Sequence, residues 1–150
     1  MAKTNSLTPA SIGGLPIQKV IEKPPTINVL IYAKPGTGKT VLSGSASMVP
    51  EMSPVLLVDI EGGTNSLRNT YPDVDTVRVT SWTELLEICD YLADENNHYK
   101  TVVFDSLSEI QQLNLYYNMR KAGKNPMEEK ADWDDWGKNP ESLRFFLRAT

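Results

Sequence analysis

The chain is 150 residues long, 40% hydrophobic and 23% charged, with a formal net charge of −4. That is one domain of ordinary size with a real core, and its acidic balance excludes a protein that coats nucleic acid by bulk charge. The single cysteine, Cys89, excludes an internal disulfide and a cysteine-based metal cluster.

Residues 1–26 hold four prolines and a Gly-Gly pair with little periodicity, and read as a mobile or loosely docked arm ahead of a core over residues 27–150. At residue 28 the pattern changes. "NVLIYA" (28–33) is a short apolar run suited to a strand buried on both faces, followed by a glycine-containing loop and a helix over 39–48. "PVLLVDIE" (54–61) is a second buried strand, and "VDTVRVT" (74–80) alternates as a strand nearer a sheet edge does.

The next helix is well marked. Ser81 and Glu84 form a capping-box pattern, and Trp82, Leu85, Leu86, Cys89, Leu92 and Ala93 make the expected apolar face, on which Cys89 is a buried, inert thiol. "KTVVFDSL" (100–107) is a fourth buried strand. A helix from about Ser108 carries Ile110, Leu113 and Tyr117 on one side, and after a polar, tryptophan-containing stretch a last helix is expected over "ESLRFFLRAT".

Strands alternating with helices form βαβ units, and hence an α/β fold: a three-layer αβα sandwich around a parallel sheet. The sequence ends on an amphipathic helix where a strand would return to the sheet, the pattern of a domain cut short at its C-terminus. No apolar run approaches the ~20 residues that cross a bilayer and no secretory leader is evident, so the expectation is a cytoplasmic protein without a membrane partner.

Residues 33–40, "AKPGTGKT", match the phosphate-binding loop G-x-x-x-x-G-K-[ST] except at the first position, Ala33. The loop residues Lys34, Pro35, Gly36, Thr37, Gly38, Lys39, Thr40 and Val41 are the candidate nucleotide-binding set. Backbone N–H groups at a helix start cradle an anion, Lys39 adds an ammonium for the β- and γ-phosphates, and the Thr40 hydroxyl suits Mg²⁺. Alanine at the strand end is a mild departure, where loss of Lys39 would be a severe one. The ligands expected are therefore ATP and Mg²⁺.

Such sites also need a carboxylate for the metal shell and a base that orients water. Two strands end in acids. One offers Asp59 and Glu61, the other Asp105 followed by Ser106, so the two jobs are divided between strands. Asp59 reads as structural, its carboxylate bonding loop N–H groups.

The succession of strand and "GTGKT" loop, "VLLVDIEGG", "VDTVRVTSWTELLEICDYL" and "TVVFDSLSEI" resembles the RecA-type ATPase core over about residues 28–115. The "DWG" element at 135–137 and the short N-terminal arm make it most similar to phage-encoded RecA-like ATPases of recombination and single-strand annealing. The resemblance implies ATP hydrolysis with Glu61 as catalytic base, Lys39 on the triphosphate, Asp105 as the Walker B acid on the metal, and Ser106 beside it. It further implies a homo-oligomer whose neighbours complete the site and single-stranded DNA as a partner. Arg120, Lys121 and Lys124, next to Tyr116 and Tyr117, are the candidate DNA contacts. The alternative is a nucleotide-gated binding module with negligible hydrolysis.

Overall fold

The segment Val55–Asp59 is apolar at every position but its last, and all five residues are buried because the strand is covered on both faces. The computed structural model describes residues 11–12, 15–17, 27–94 and 96–149; most of the expected N-terminal arm lies outside the described residues. Contacts divide the chain into two units, Met1–Tyr32 and Ala33–Thr150.

In the first unit, β1 (Ser11–Ile12) and β2 (Leu15–Pro16) pair antiparallel, Ser11 opposite Pro16 and Ile12 opposite Leu15. The strand expected over residues 28–33 is not formed. Residues 27–34 have no regular structure, and Ile27, Val29, Leu30 and Tyr32 are 83%, 74%, 76% and 96% exposed. A strand needs neighbours to complete its ladder, and β-propensity supplies no hydrogen bonds by itself.

In the second unit, a parallel sheet runs in the order β4 (Asp75–Arg78), β3 (Val55–Asp59), β5 (Thr101–Asp105). β4 is an edge strand, as its alternating pattern implies. Successive side chains of β3 point to opposite faces. Leu56 and Val58 join Ile60, Val79, Trp82, Leu85, Ile110 and Phe146 in one cluster. Val55 and Leu57 join Ala46, Leu67 and Val74 in the other. Helices α2 (Trp82–Ala93), α3 (Leu107–Lys121) and α4 (Trp133–Ala149) serve the first cluster. The short α1 (Lys39–Gly44), continued by a 3-10 turn over Ser45–Met48, serves the second. Gly44 locks α1 in place: a Cβ there would lie 2.7 Å from Leu67 Cδ2 and 2.9 Å from Tyr71 Cδ2. The result is an α/β sandwich of the P-loop NTPase type.

The capping box on α2 is formed in full, the Glu84 N–H donating to Ser81 Oγ at 3.2 Å and the Ser81 N–H to Glu84 Oε2 at 3.2 Å. Donation to its carboxylate, chiefly from Thr80, holds Glu84 below its ordinary pKa. The buried stripe is rotated from the expected one: Ile88 packs on the core, whereas Leu86 and Ala93 are exposed. Cys89 is half-buried, and burial with the neighbouring Asp90 charge pushes its thiol up to about 11, which keeps it protonated and inert. The last helix starts eight residues earlier than the expected segment at Glu141. Asp132 Oδ1 accepts from the Asp134 and Asp135 N–H groups, each at 3.0 Å, and Asp135 Oδ2 accepts from the Asp132 N–H at 2.9 Å. This reciprocal cap carries aspartate where glutamate is usual, and Pro140 is accommodated inside the helix.

Candidate functional site

Parallel strands bring their C-terminal ends to one edge of the sheet, and here the register aligns three of them. Arg78 stands opposite Asp59 and Asp59 opposite Asp105. Beyond the last pairing, the N–H groups of Ile60 and Glu61 both donate to the Asp105 carbonyl, at 2.8 and 3.2 Å, which ties the two strand tips together.

The loop and α1 meet this edge through one side chain. Thr40 Oγ1 donates to Asp105 Oδ2 at 2.5 Å across 65 residues of sequence. Gly36 and Gly38 have φ of +76° and +91°, left-handed values that L side chains adopt only at a cost, and a Cβ at either would meet nothing within 4 Å. No described residue other than glycine has positive φ, so Ala33 sits in backbone open to any residue. The departure from the motif therefore imposes no conformational strain. Among the described residues, the N–H groups of Gly36, Gly38, Lys39 and Thr40 have no hydrogen-bond acceptor in the chain. Lys39 folds over the loop entrance, its ammonium donating to the Ala33 and Lys34 carbonyls at 3.3 Å each, and Thr37 Oγ1 donates to the Lys34 carbonyl at 2.8 Å. Lys34, Pro35 and Val41 complete the loop and the first turn of α1.

Free amides and one ammonium lie near the start of a helix, a setting that favours an anion. Thr40 commits its proton to Asp105, which leaves the hydroxyl lone pairs for a cation. No group of three His, Cys, Asp or Glu side chains suited to a metal occurs among the described residues. A hydroxyl with one carboxylate fits Mg²⁺, which takes few protein ligands and fills its octahedron with water and phosphate oxygens.

The remaining acids separate. Asp59 is buried, and its Oδ1 accepts from the Gly62 N–H at 2.6 Å and the Gly63 N–H at 3.3 Å, with Arg78 Nη1 at 3.3 Å. Its oxygen is thus committed to the loop. Glu61 is exposed, and among the described residues its carboxylate bonds to nothing in the chain. Ser106 follows Asp105 and starts α3 without capping it by its side chain. A groove of about 370 Å³ lined by Leu56, Asp75, Tyr91 and Tyr99 lies toward the opposite ends of β3 and β4, away from the loop.

The basic cluster at the end of α3 is divided by the fold. Lys124 is held by Asp132 at 2.5 Å and by the buried Asp135 at 2.7 Å, so its charge is neutralised within the chain. Lys121 lies over the Tyr117 ring at 4.9 Å, and Arg120 is exposed. The ion pair holds the Asp132 carboxyl down to about 2 and raises the Lys124 ammonium above its ordinary range. A depressed carboxyl pKa contributes stability that is complete above the ordinary carboxylate range and fades as pH falls toward 2. Thermal melts by circular dichroism between pH 5 and 2 should therefore fall more steeply for the native chain than for Lys124→Ala.

A family model described as an AAA domain matches residues 26–149. No curated protein and no solved structure is matched. Among the described residues, no helix is long and apolar enough to cross a membrane.

Proposed function

The chain belongs to the AAA domain family, a family of nucleotide-binding ATPase-type domains, and from that premise we propose that it binds ATP at residues 34–41 and hydrolyses it with Mg²⁺. The observation that carries this reading is the Thr40–Asp105 hydrogen bond, which puts the loop hydroxyl and a strand-end carboxylate on one spot beside unpaired amides. The loop N–H groups and Lys39 take the triphosphate, while Thr40 and Asp105 hold the cation. Mg²⁺, held there by Thr40 and Asp105, would neutralise charge on the triphosphate. Glu61, unpaired and exposed on the turn after β3, accepts the proton of the attacking water and aligns that water with the γ-phosphorus.

The biological work proposed is DNA recombination or single-strand annealing of the phage RecA-like kind, in the cytoplasm of a host cell and in a homo-oligomer that completes each site. This part rests on the sequence resemblance. Of its candidate DNA contacts, Arg120 and Lys121 have no acidic partner among the described residues, whereas Lys124 is held by Asp132 and Asp135. Phosphate release measured with and without single-stranded DNA tests the whole reading. Release stimulated by DNA supports it, and release indifferent to DNA removes the recombination role. ATP binding without release in either condition favours the binding module instead.

A further inference from the structure

Arg78 enters neither the loop motif nor the proposed chemistry, yet it stands in the row of strand ends that frames the site. It closes β4, in register with Asp59, and its guanidinium reaches Asp59 Oδ1 at 3.3 Å. That oxygen also takes the N–H groups of Gly62 and Gly63. Between the strand and the glycines stand Ile60 and Glu61, whose N–H groups are both fixed to the Asp105 carbonyl. The turn is thus pinned on both sides: by β5 at residues 60–61 and by the Asp59 carboxylate at 62–63.

The guanidinium also shapes the turn by contact. Gly62 has φ +91°, and a Cβ on it would stand 3.0 Å from Arg78 Nη1 and 3.5 Å from its Cζ. Glycine is favoured there by its left-handed backbone, and its lack of a side chain leaves the guanidinium room to lie close. Asp59 is the hub of the arrangement. Its side chain is 8% exposed and that of Arg78 is 50% exposed, so the carboxylate is the fixed partner and the arginine its link to solvent and to the edge strand. An ionised carboxylate so covered needs compensation, and two backbone amides with one guanidinium supply it.

We propose that Arg78 is a positioning residue: through Asp59 it fixes the Glu61–Gly62–Gly63 turn and so sets where the Glu61 carboxylate stands relative to the γ-phosphate. This deepens the reading of Glu61 as base and rests on it. A general base works only within hydrogen-bond reach of the water, and a displacement of about 1 Å costs on the order of 10²-fold in rate.

The test compares Arg78→Ala, Arg78→Lys and Glu61→Gln in the full chain, by ATPase kinetics and by hydrogen exchange at the Gly62 and Gly63 amides. Arg78→Ala should lower kcat by about tenfold or more while the KM for ATP stays within about twofold. Arg78→Lys, which keeps the charge, should recover part of that loss. Exchange at Gly62 and Gly63 should accelerate at least about tenfold in Arg78→Ala, with core amides unchanged. If Glu61→Gln abolishes turnover but Arg78→Ala leaves kcat intact, the positioning role is wrong and the base stands. If Glu61→Gln leaves turnover unchanged, or the native chain has none, the base reading falls, and exchange alone decides the clamp. Amides at 62 and 63 that exchange in Arg78→Ala as in the native chain overturn it.

Discussion

Glu61→Gln is expected to lower ATP turnover by about 10²–10⁴-fold while the affinity for ATP changes by no more than about twofold. Glutamine keeps the size and one acceptor oxygen of the side chain but cannot take a proton at neutral pH. Among the described residues nothing bonds the Glu61 carboxylate. The side chain is exposed, and the turn is held by the Glu61 backbone N–H and by Asp59, neither of which the substitution touches. A melting temperature equal to that of the native chain should accompany the loss. Single-turnover phosphate release with a parallel nucleotide titration separates the two quantities. Equal losses in affinity and turnover would mean that Glu61 binds nucleotide and is not the base.

Lys39→Ala should weaken ATP binding by about 10–100-fold, because hydrogen bonds from a charged donor are worth about 1.5–3 kcal/mol and each 1.4 kcal/mol is tenfold in affinity. The effect on folding should be small. Among the described residues the ammonium of Lys39 holds only the Ala33 and Lys34 carbonyls, both at 3.3 Å and both in exposed loop. Weak exposed contacts contribute little to stability. The two variants are thus expected to fail differently, Glu61→Gln at turnover and Lys39→Ala at binding. Titration with a fluorescent ATP analogue shows the difference directly.

The sequence made these residues visible to different degrees, for physical reasons. The loop was readable because its chemistry is local: Gly36, Gly38, Lys39 and Thr40 lie within five positions, and their spacing alone defines an anion cradle. The strand-end acids were readable because apolar runs ending in carboxylates are also local patterns, and the carboxylate of Asp59 bonds the loop amides as its position suggested. Which acid Thr40 faces is set by packing across 65 residues, and spacing carries no such information. Arg78 was missed for the same kind of reason. Its partnership with Asp59 follows from the register of two parallel strands. The apolar run at 28–33 misled because a strand is a property of pairs, and apolar composition names no partner. The start of α4 is weakly marked in the sequence because aspartate at its third helical position does the work of the usual glutamate, and because Gly137 and Pro140, poor helix formers, fall inside it. Lys124 shows the same limit at the surface: the sequence places it in a basic cluster, and the fold holds it with two acids that follow it.

The proposed function requires capture of a triphosphate with its metal at the loop around Thr40 and Asp105. Calorimetric titration of the native chain with ATP, once in Mg²⁺ and once in EDTA, tests this most directly. Saturable binding at one site per chain that weakens on removal of Mg²⁺ is the predicted result. Heat absent in both titrations, or binding that ignores the metal, would contradict the assignment of Thr40 and Asp105 and with it the function proposed for the chain.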